Sequence, residues 1–268
     1  PVAYTRETID TPDGDFLDID WLRGGHKQLA ILSHGLEGNS RRQYMVGMAR
    51  GVFVSGYDVL AWNCRSCGGR MNNALKLYHH AASYDFETVI NHALSVHQYR
   101  NITLVGFSMG GSIMLKYLGE KGSATPSTIS TAIAFSVPCD LGSSSRALDR
   151  PANAFYRKRF LKKLTVKLQA KALQFPGQLD TTGIESIISF TDFDNRFTAP
   201  IHGFRDAADF YSQGSANNYL PYVTVPTLIV NAKNDPMLPE SCYPTAQAKQ
   251  LANISLEIPA RGGHAGFT

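Results

Sequence analysis

The chain has 268 residues, of which 43% are hydrophobic and 18% charged, the balance of a globular protein with room for a sizeable core. No apolar run approaches the roughly 18 residues needed to cross a bilayer, and the opening Pro1-Val2-Ala3-Tyr4-Thr5-Arg6 lacks the apolar stretch of a signal peptide; Pro1 is not an expected natural first residue, so a removed leader would be invisible. The net charge is +4, but residues 150 to 179 hold eight Lys/Arg and no acid, which leaves 18 basic against 22 acidic residues elsewhere, so the basicity is local and does not suggest a nucleic-acid partner.

In chain order, Tyr4 to Ile9 and Phe16 to Trp21, joined through Pro12-Asp13-Gly14, read as an antiparallel hairpin on the edge of a sheet. Short apolar runs rich in β-branched residues then recur at Leu29 to Ser33, Tyr57 to Trp62, Ile102 to Gly106, Ile129 to Phe135, Thr227 to Asn231 and Ile254 to Ile258. Such runs, alternating with amphipathic segments at about 43 to 55, 84 to 99 and 109 to 119, predict buried parallel strands and crossover helices in a doubly wound α/β sheet. The rhythm breaks between about 139 and 215, which predicts a helical cap inserted over the strand ends of a single domain spanning 1 to 268. Within it, Phe155 to Lys171 places Leu161, Leu164 and Leu168 at helical spacing with lysines elsewhere. Two expectations follow for the basic stretch 157 to 171: a cap helix with its lysines in water, which is preferred, or a lid in peripheral contact with anionic lipid.

Gly106-Phe-Ser-Met-Gly110 stands where the strand ending near Gly106 must turn into the helix that follows. A Gly-x-Ser-x-Gly turn between strand and helix forces the serine into a strained backbone and exposes its hydroxyl, so Ser108 is the expected nucleophile. A serine hydroxyl needs a base and a carboxylate to activate it, and this architecture orders them serine, acid, histidine. Asp235 follows the strand Thr227 to Asn231 and His264 follows the last strand, both at carboxyl ends, where open α/β sheets place their sites. Asp192 and Asp194 compete for the acid but precede the return of the sheet. The other seven histidines, at 26, 34, 79, 80, 92, 97 and 202, lack the placement or precede the serine, with His92 and His97 expected inside a helix. Leu36, in Ser33-His-Gly-Leu-Glu-Gly38, and Met109 are the expected backbone donors to an oxyanion.

The chain resembles the α/β-hydrolases and, within them, the YheT-like or EMB-type branch. The blocks that carry the resemblance are His34-Gly-Leu-Glu-Gly38 with Ser40-Arg41-Arg42, Asn63-Cys-Arg-Ser-Cys-Gly-Gly69, Gly106 to Gly110, Phe193-Asp-Asn-Arg-Phe-Thr-Ala-Pro200 with Gly203-Phe204, Asp235-Pro236, and Gly262-Gly-His-Ala-Gly-Phe267. It implies a cofactor-free serine hydrolase with carboxylesterase or lipase-like activity on a small-molecule ester, and a triad of Ser108, Asp235 and His264. An acyltransferase using the same triad and a non-catalytic binder on the same scaffold are the alternatives. Proteins of this type carry a helix after the histidine, whereas this sequence stops at Thr268, a departure from the pattern.

Cys64-Arg-Ser-Cys67 with His79-His80 has the look of a metal or redox motif, but it lacks a second cysteine pair and the four-ligand spacing of a structural zinc site, so no metal is expected. Arg65 is expected to tie loops together through carbonyls or carboxylates. The four cysteines, Cys64, Cys67, Cys139 and Cys242, are too few to staple a domain of this size and point to a reducing, cytoplasmic compartment.

Overall fold

The computed structural model describes residues 2–266; Pro1, Thr268 and Phe267 of the last resemblance block lie outside the described residues. The hairpin forms from β1 (Thr5–Asp10) and β2 (Phe16–Leu22), paired from Thr5↔Trp21 to Asp10↔Phe16. Its turn is closed by Thr11 and Asp15, with Gly14 at φ 77°, a left-handed conformation that glycine adopts at little cost. Next come β3 (Gln28–Ser33), α1 (Gln43–Val54), β4 (Tyr57–Asn63), α2 (Ser83–Val96), β5 (Asn101–Phe107), α3 (Met109–Lys121) and β6 (Ile129–Phe135). A helical stretch follows: α4 (Leu141–Asp149), α5 (Ala154–Gln174), α6 (Phe190–Phe193), a π-helical turn (Asp194–Thr198), α7 (Ala199–His202) and α8 (Ala207–Gly214). The sheet resumes with β7 (Thr227–Val230), then α9 (Thr245–Gln250) and β8 (Ile254–Glu257).

The strands make one sheet in the order β1-β2-β4-β3-β5-β6-β7-β8, with β2 antiparallel to both β1 and β4 and the remaining pairs parallel. Alternate side chains of each strand point to opposite faces. Accordingly Ala30 and Leu32 pack with Met45 and Ala49 of α1, whereas Leu29 and Ile31 join the larger core containing Phe86 of α2 and Leu115 of α3. Helices on both faces explain why the central strands read as continuous apolar runs.

Most element ends fall within two residues of expectation, and three of the differences have a visible cause. Helix α2 stops at Val96, and His97 is extended at φ −154°, outside the helix. The cause is Tyr99: its ring is buried against the core and its hydroxyl donates to Asp58 Oδ2 at 3.1 Å, which pulls the chain out of the helix and into β5. Strands β7 and β8 each end one residue early, at Val230 and Glu257. The Asn231 side chain is given over to loop contacts, accepting from the Val137 N–H at 2.8 Å and donating to the Cys242 carbonyl at 2.9 Å.

Arg65 does tie loops together. Its buried guanidinium meets Asp13 (2.9 Å), Asp15 (3.1 Å) and Asp85 (2.7 Å), locking the hairpin turn to the end of β4 and the first turn of α2. No helix of the described residues is long and apolar enough to cross a membrane.

Candidate active site

Parallel register brings the site together. Ser33 pairs with Gly106, Phe107 with Phe135, Phe135 with Val230, and Val230 with Glu257. The loops leaving β3, β5, β6, β7 and β8 therefore emerge along one edge of the sheet, carrying residues that are up to 231 positions apart in the chain from Ser33 to His264.

Ser108 sits at φ 52°, ψ −118° between β5 and α3, a backbone state that costs a non-glycine residue on the order of 1–3 kcal/mol and persists only where the surroundings enforce it. The enforcement is visible. The Ser108 N–H donates to the Phe135 carbonyl at 2.8 Å and its carbonyl accepts from Ser112 N–H at 3.1 Å. The two flanking glycines leave no room for anything larger: a Cβ at Gly110 would lie 2.4 Å from the Ser33 carbonyl oxygen, and one at Gly106 would lie 2.6 Å from Gly111 Cα.

His264 Nε2 lies 3.0 Å from Ser108 Oγ, and His264 Nδ1 lies 2.8 Å from Asp235 Oδ2. The Asp235 side chain is wholly buried and its other oxygen, Oδ1, accepts from the Met237 N–H at 2.9 Å. An ionised carboxylate only accepts, so the proton of the neutral imidazole belongs on Nδ1 and the Nε2 lone pair faces the serine hydroxyl. The loop that presents the imidazole is pinned on both sides, by Gly263 N–H to Asn234 Oδ1 (2.9 Å) and Ala265 N–H to Ser136 Oγ (3.0 Å). Neither Asp192 nor Asp194 bonds this histidine; Asp192 is held at the start of α6 by Ser189 (2.6 Å).

The main-chain N–H groups of Leu36 and Met109 make no hydrogen bond among the described residues. Gly35 packs against Ser108, its absent Cβ falling 3.2 Å from Ser108 Cβ. The loop from His34 to Gly38 is rigidly held. His34 is buried; its Nε2 accepts from the Cys64 N–H at 3.1 Å, so its Nδ1 donates to the Gly35 carbonyl at 2.8 Å, and burial pulls its pKa down to about 4. Tyr44 Oη receives the Gly35 N–H at 3.0 Å. Tyr78 Oη receives the Glu37 N–H at 3.1 Å and donates to the Glu37 carboxylate, which is ion-paired to Lys167 at 2.6 Å.

These supports were not singled out from the sequence. Glu37 stood inside a quoted motif, but its partners Tyr78 and Lys167 lie 41 and 130 positions away. The expectation of solvated lysines on α5 is corrected at two positions. Lys167 turns inward to Glu37 and to Cys67 Sγ (3.2 Å), and Lys171 is buried, donating to the carbonyls of Asn72 (2.6 Å) and Ala74, with burial lowering its pKa to about 8. Buried carbonyls without helix partners need donors, and a long lysine reaches them from the same stripe that carries Leu161, Leu164 and Leu168.

Burial raises the pKa of both Cys64 and Cys67, the reverse of what a reactive thiolate needs. His79 lies against His202 with ring centroids 4.3 Å apart and ring planes tilted by 57°. Among the described residues no three His, Cys, Asp or Glu are grouped so as to hold a metal ion.

Above Ser108 and His264 lies a cavity of about 390 Å³. Its walls are largely apolar, with Leu141 and Leu148 of α4, Phe160 and Leu164 of α5, Phe190 of α6, and Met237. Two buried carboxyls, Glu37 and Asp194, line it; Asp194 accepts from Thr198 Oγ1 (2.6 Å) and Tyr211 Oη (2.8 Å), and burial pushes its pKa up to about 7.

A nucleophile on a strained turn between strand and helix, with acid and histidine supplied from later strand ends, is the arrangement of the α/β-hydrolases. The sequence pattern of the alpha/beta hydrolase fold matches residues 31–268, and the chain belongs to that family. Phospholipase ABHD3 of Mus musculus is 33% identical over 280 residues, covering all of this chain and 67% of that protein. YheT of Escherichia coli is 28% identical over 267 residues, 97% of this chain and 78% of that one, in keeping with the resemblance to its branch. Among solved structures, an esterase of Pyrococcus furiosus superposes with a TM-score of 0.66 at 17% identity, over 98% of this chain and 84% of that chain, and shares the fold.

Proposed function

We propose that the protein is a serine hydrolase that cleaves carboxylic esters through an acyl-enzyme on Ser108, with the helical segment at about 139 to 215 acting as a cap that shapes the acyl pocket. The observation that carries this is the unbroken hydrogen-bond chain from Ser108 Oγ through His264 to Asp235. Ser108 Oγ attacks the ester carbonyl as its proton passes to His264 Nε2. The tetrahedral oxyanion is held by the N–H groups of Leu36, in the loop after β3, and of Met109, at the positive end of α3. His264 then returns the proton to the leaving alcohol, and a water activated by the same nitrogen releases the acid. Asp235 keeps the imidazole in the tautomer that can accept.

A family of relatives that includes a protein named as a phospholipase supports acyl esters, lipid esters among them, as the substrate class, and the apolar cavity suits an acyl chain. The outer side of α5 supports peripheral contact with anionic lipid. Phe155 is 70% and Val166 59% exposed, and Lys158 and Lys162 stand exposed beside them. Anionic vesicles should co-sediment with the protein less when Lys158 and Lys162 become glutamate; unchanged sedimentation rules this contact out. The four cysteines are buried free thiols, which supports a reducing, cytoplasmic setting.

A fluorophosphonate probe is expected to label the protein, and Ser108→Ala to abolish both labelling and hydrolysis of p-nitrophenyl esters. Equal labelling of parent and variant refutes the nucleophile.

A further inference from the structure

Three cations line the cavity that holds Ser108: Arg42, Arg159 and Lys163. Arg42 Nη2 donates to the Glu37 carbonyl at 3.0 Å and Lys163 Nζ donates to the same oxygen at 3.4 Å. Both charges therefore sit one residue from the Leu36 N–H, close to where an ester would react. The wall has two acidic residues, Glu37 and Asp194. The Glu37 carboxylate is engaged by Lys167 at 2.6 Å and by the Tyr78 hydroxyl. Asp194 is buried and bonded to Thr198 and Tyr211. Among the described residues none of the three cations is ion-paired to a carboxylate, and the α5 region cannot supply one, since residues 150 to 179 contain no acid. The crowding is felt at Lys163, whose pKa is lowered by burial first and by the neighbouring Arg42 next.

Cations without a carboxylate ion-pair partner on a cavity wall, two of them half-buried, attract an anion and hold it with charge-assisted hydrogen bonds. An acyl chain belongs against the apolar walls, so the anion is carried by the other half of the ester. We propose that Arg42, Arg159 and Lys163 select acyl esters whose alcohol part bears an anionic group, a phosphate or a carboxylate. The inference rests on the esterase reading of this cavity and names its substrate class.

Binding of uncleavable ethers separates the two. With the Ser108→Ala chain, titration calorimetry compares 1-O-hexylglycerol 3-phosphate, the carboxylate 3-hexyloxy-2-hydroxypropanoate, neutral 1-O-hexylglycerol and inorganic phosphate. Both charged ethers are expected to bind at least about tenfold tighter than the neutral one, about 1.4 kcal/mol, and inorganic phosphate far more weakly than the phosphate ether. Arg159→Gln/Lys163→Gln should cut the preference below about threefold, as should raising NaCl from about 0.02 to about 0.5 M in the parent background, where screening shortens from tens of ångströms to a few. The salt series decides the matter if the double variant does not fold. Equal affinity for charged and neutral ethers, a preference indifferent to both salt and substitution, or inorganic phosphate binding as tightly as the phosphate ether overturns the proposal. None of these outcomes depends on turnover, so a failure of Ser108 labelling counts against the esterase reading alone.

Discussion

Replacing Asp235 by asparagine tests the tautomer argument at the site. Asp235 Oδ1 already accepts from the Met237 N–H at 2.9 Å while Oδ2 faces His264 Nδ1 at 2.8 Å. In the asparagine variant the amide carbonyl must stay on the Met237 side, because the flipped amide would set two donors face to face in a buried site, at a cost of about 1–3 kcal/mol. The amide NH₂ then points at Nδ1 and forces it to accept, which moves the imidazole proton to Nε2, where it confronts the Ser108 hydroxyl and cannot receive its proton. Where a serine-histidine-aspartate site suffers this change the rate falls about 10⁴-fold, which corresponds to about 5.5 kcal/mol at about 1.4 kcal/mol per decade. Asp235→Asn is therefore expected to lower kcat for p-nitrophenyl esters by roughly four orders of magnitude with an unchanged thermal melt, and ¹⁵N shifts should show the His264 proton moved to Nε2. Activity within tenfold of the parent, or an imidazole still protonated on Nδ1, refutes the reasoning.

Lys167→Met strands the Glu37 carboxylate, whose side chain is only 6% exposed; a urea titration should show a loss of about 3 kcal/mol, most of it recovered in Glu37→Gln/Lys167→Met, and an unchanged single variant would show that the pair holds nothing. Asp194→Asn should flatten the pH dependence of stability. Asp194 keeps its proton in the folded chain up to about pH 7 against an ordinary value of 3.8, so between those values the native state binds a proton the unfolded chain has released, and stability falls as pH rises through the window, by up to roughly 4 kcal/mol. Urea midpoints at pH 5 and pH 8 that differ equally in parent and variant exclude this role.

The strands, the helices behind them and the turn at Ser108 were legible because each has a local cause. Apolar runs of strand length, periodicity in α1 and α2, and glycines on both sides of the serine mark sequence features that need no distant partner, whereas α3 is buried all round from Met109 to Gly119 and lacks the amphipathic face expected of 109 to 119. Asp235 and His264 could be chosen on position alone, since a parallel sheet delivers successive loops to one edge. The end of α2 was misplaced because Tyr99 answers to Asp58, a residue 41 positions earlier.

Composition and periodicity alone determined the layered α/β plan and the local basicity of residues 150 to 179, and the glycine-flanked serine motif pointed to Ser108, Asp235 and His264 in that chain order. Tertiary structure alone decided that Lys167 and Lys171 turn inward, that Glu37 is spoken for while Arg42, Arg159 and Lys163 remain unpaired by carboxylates, and that a carboxyl in a π-helical turn faces the cavity. The physical reason is that hydrophobic pattern reports which face of an element is buried, whereas the state of a charge depends on which groups from remote segments reach it once that face has been covered.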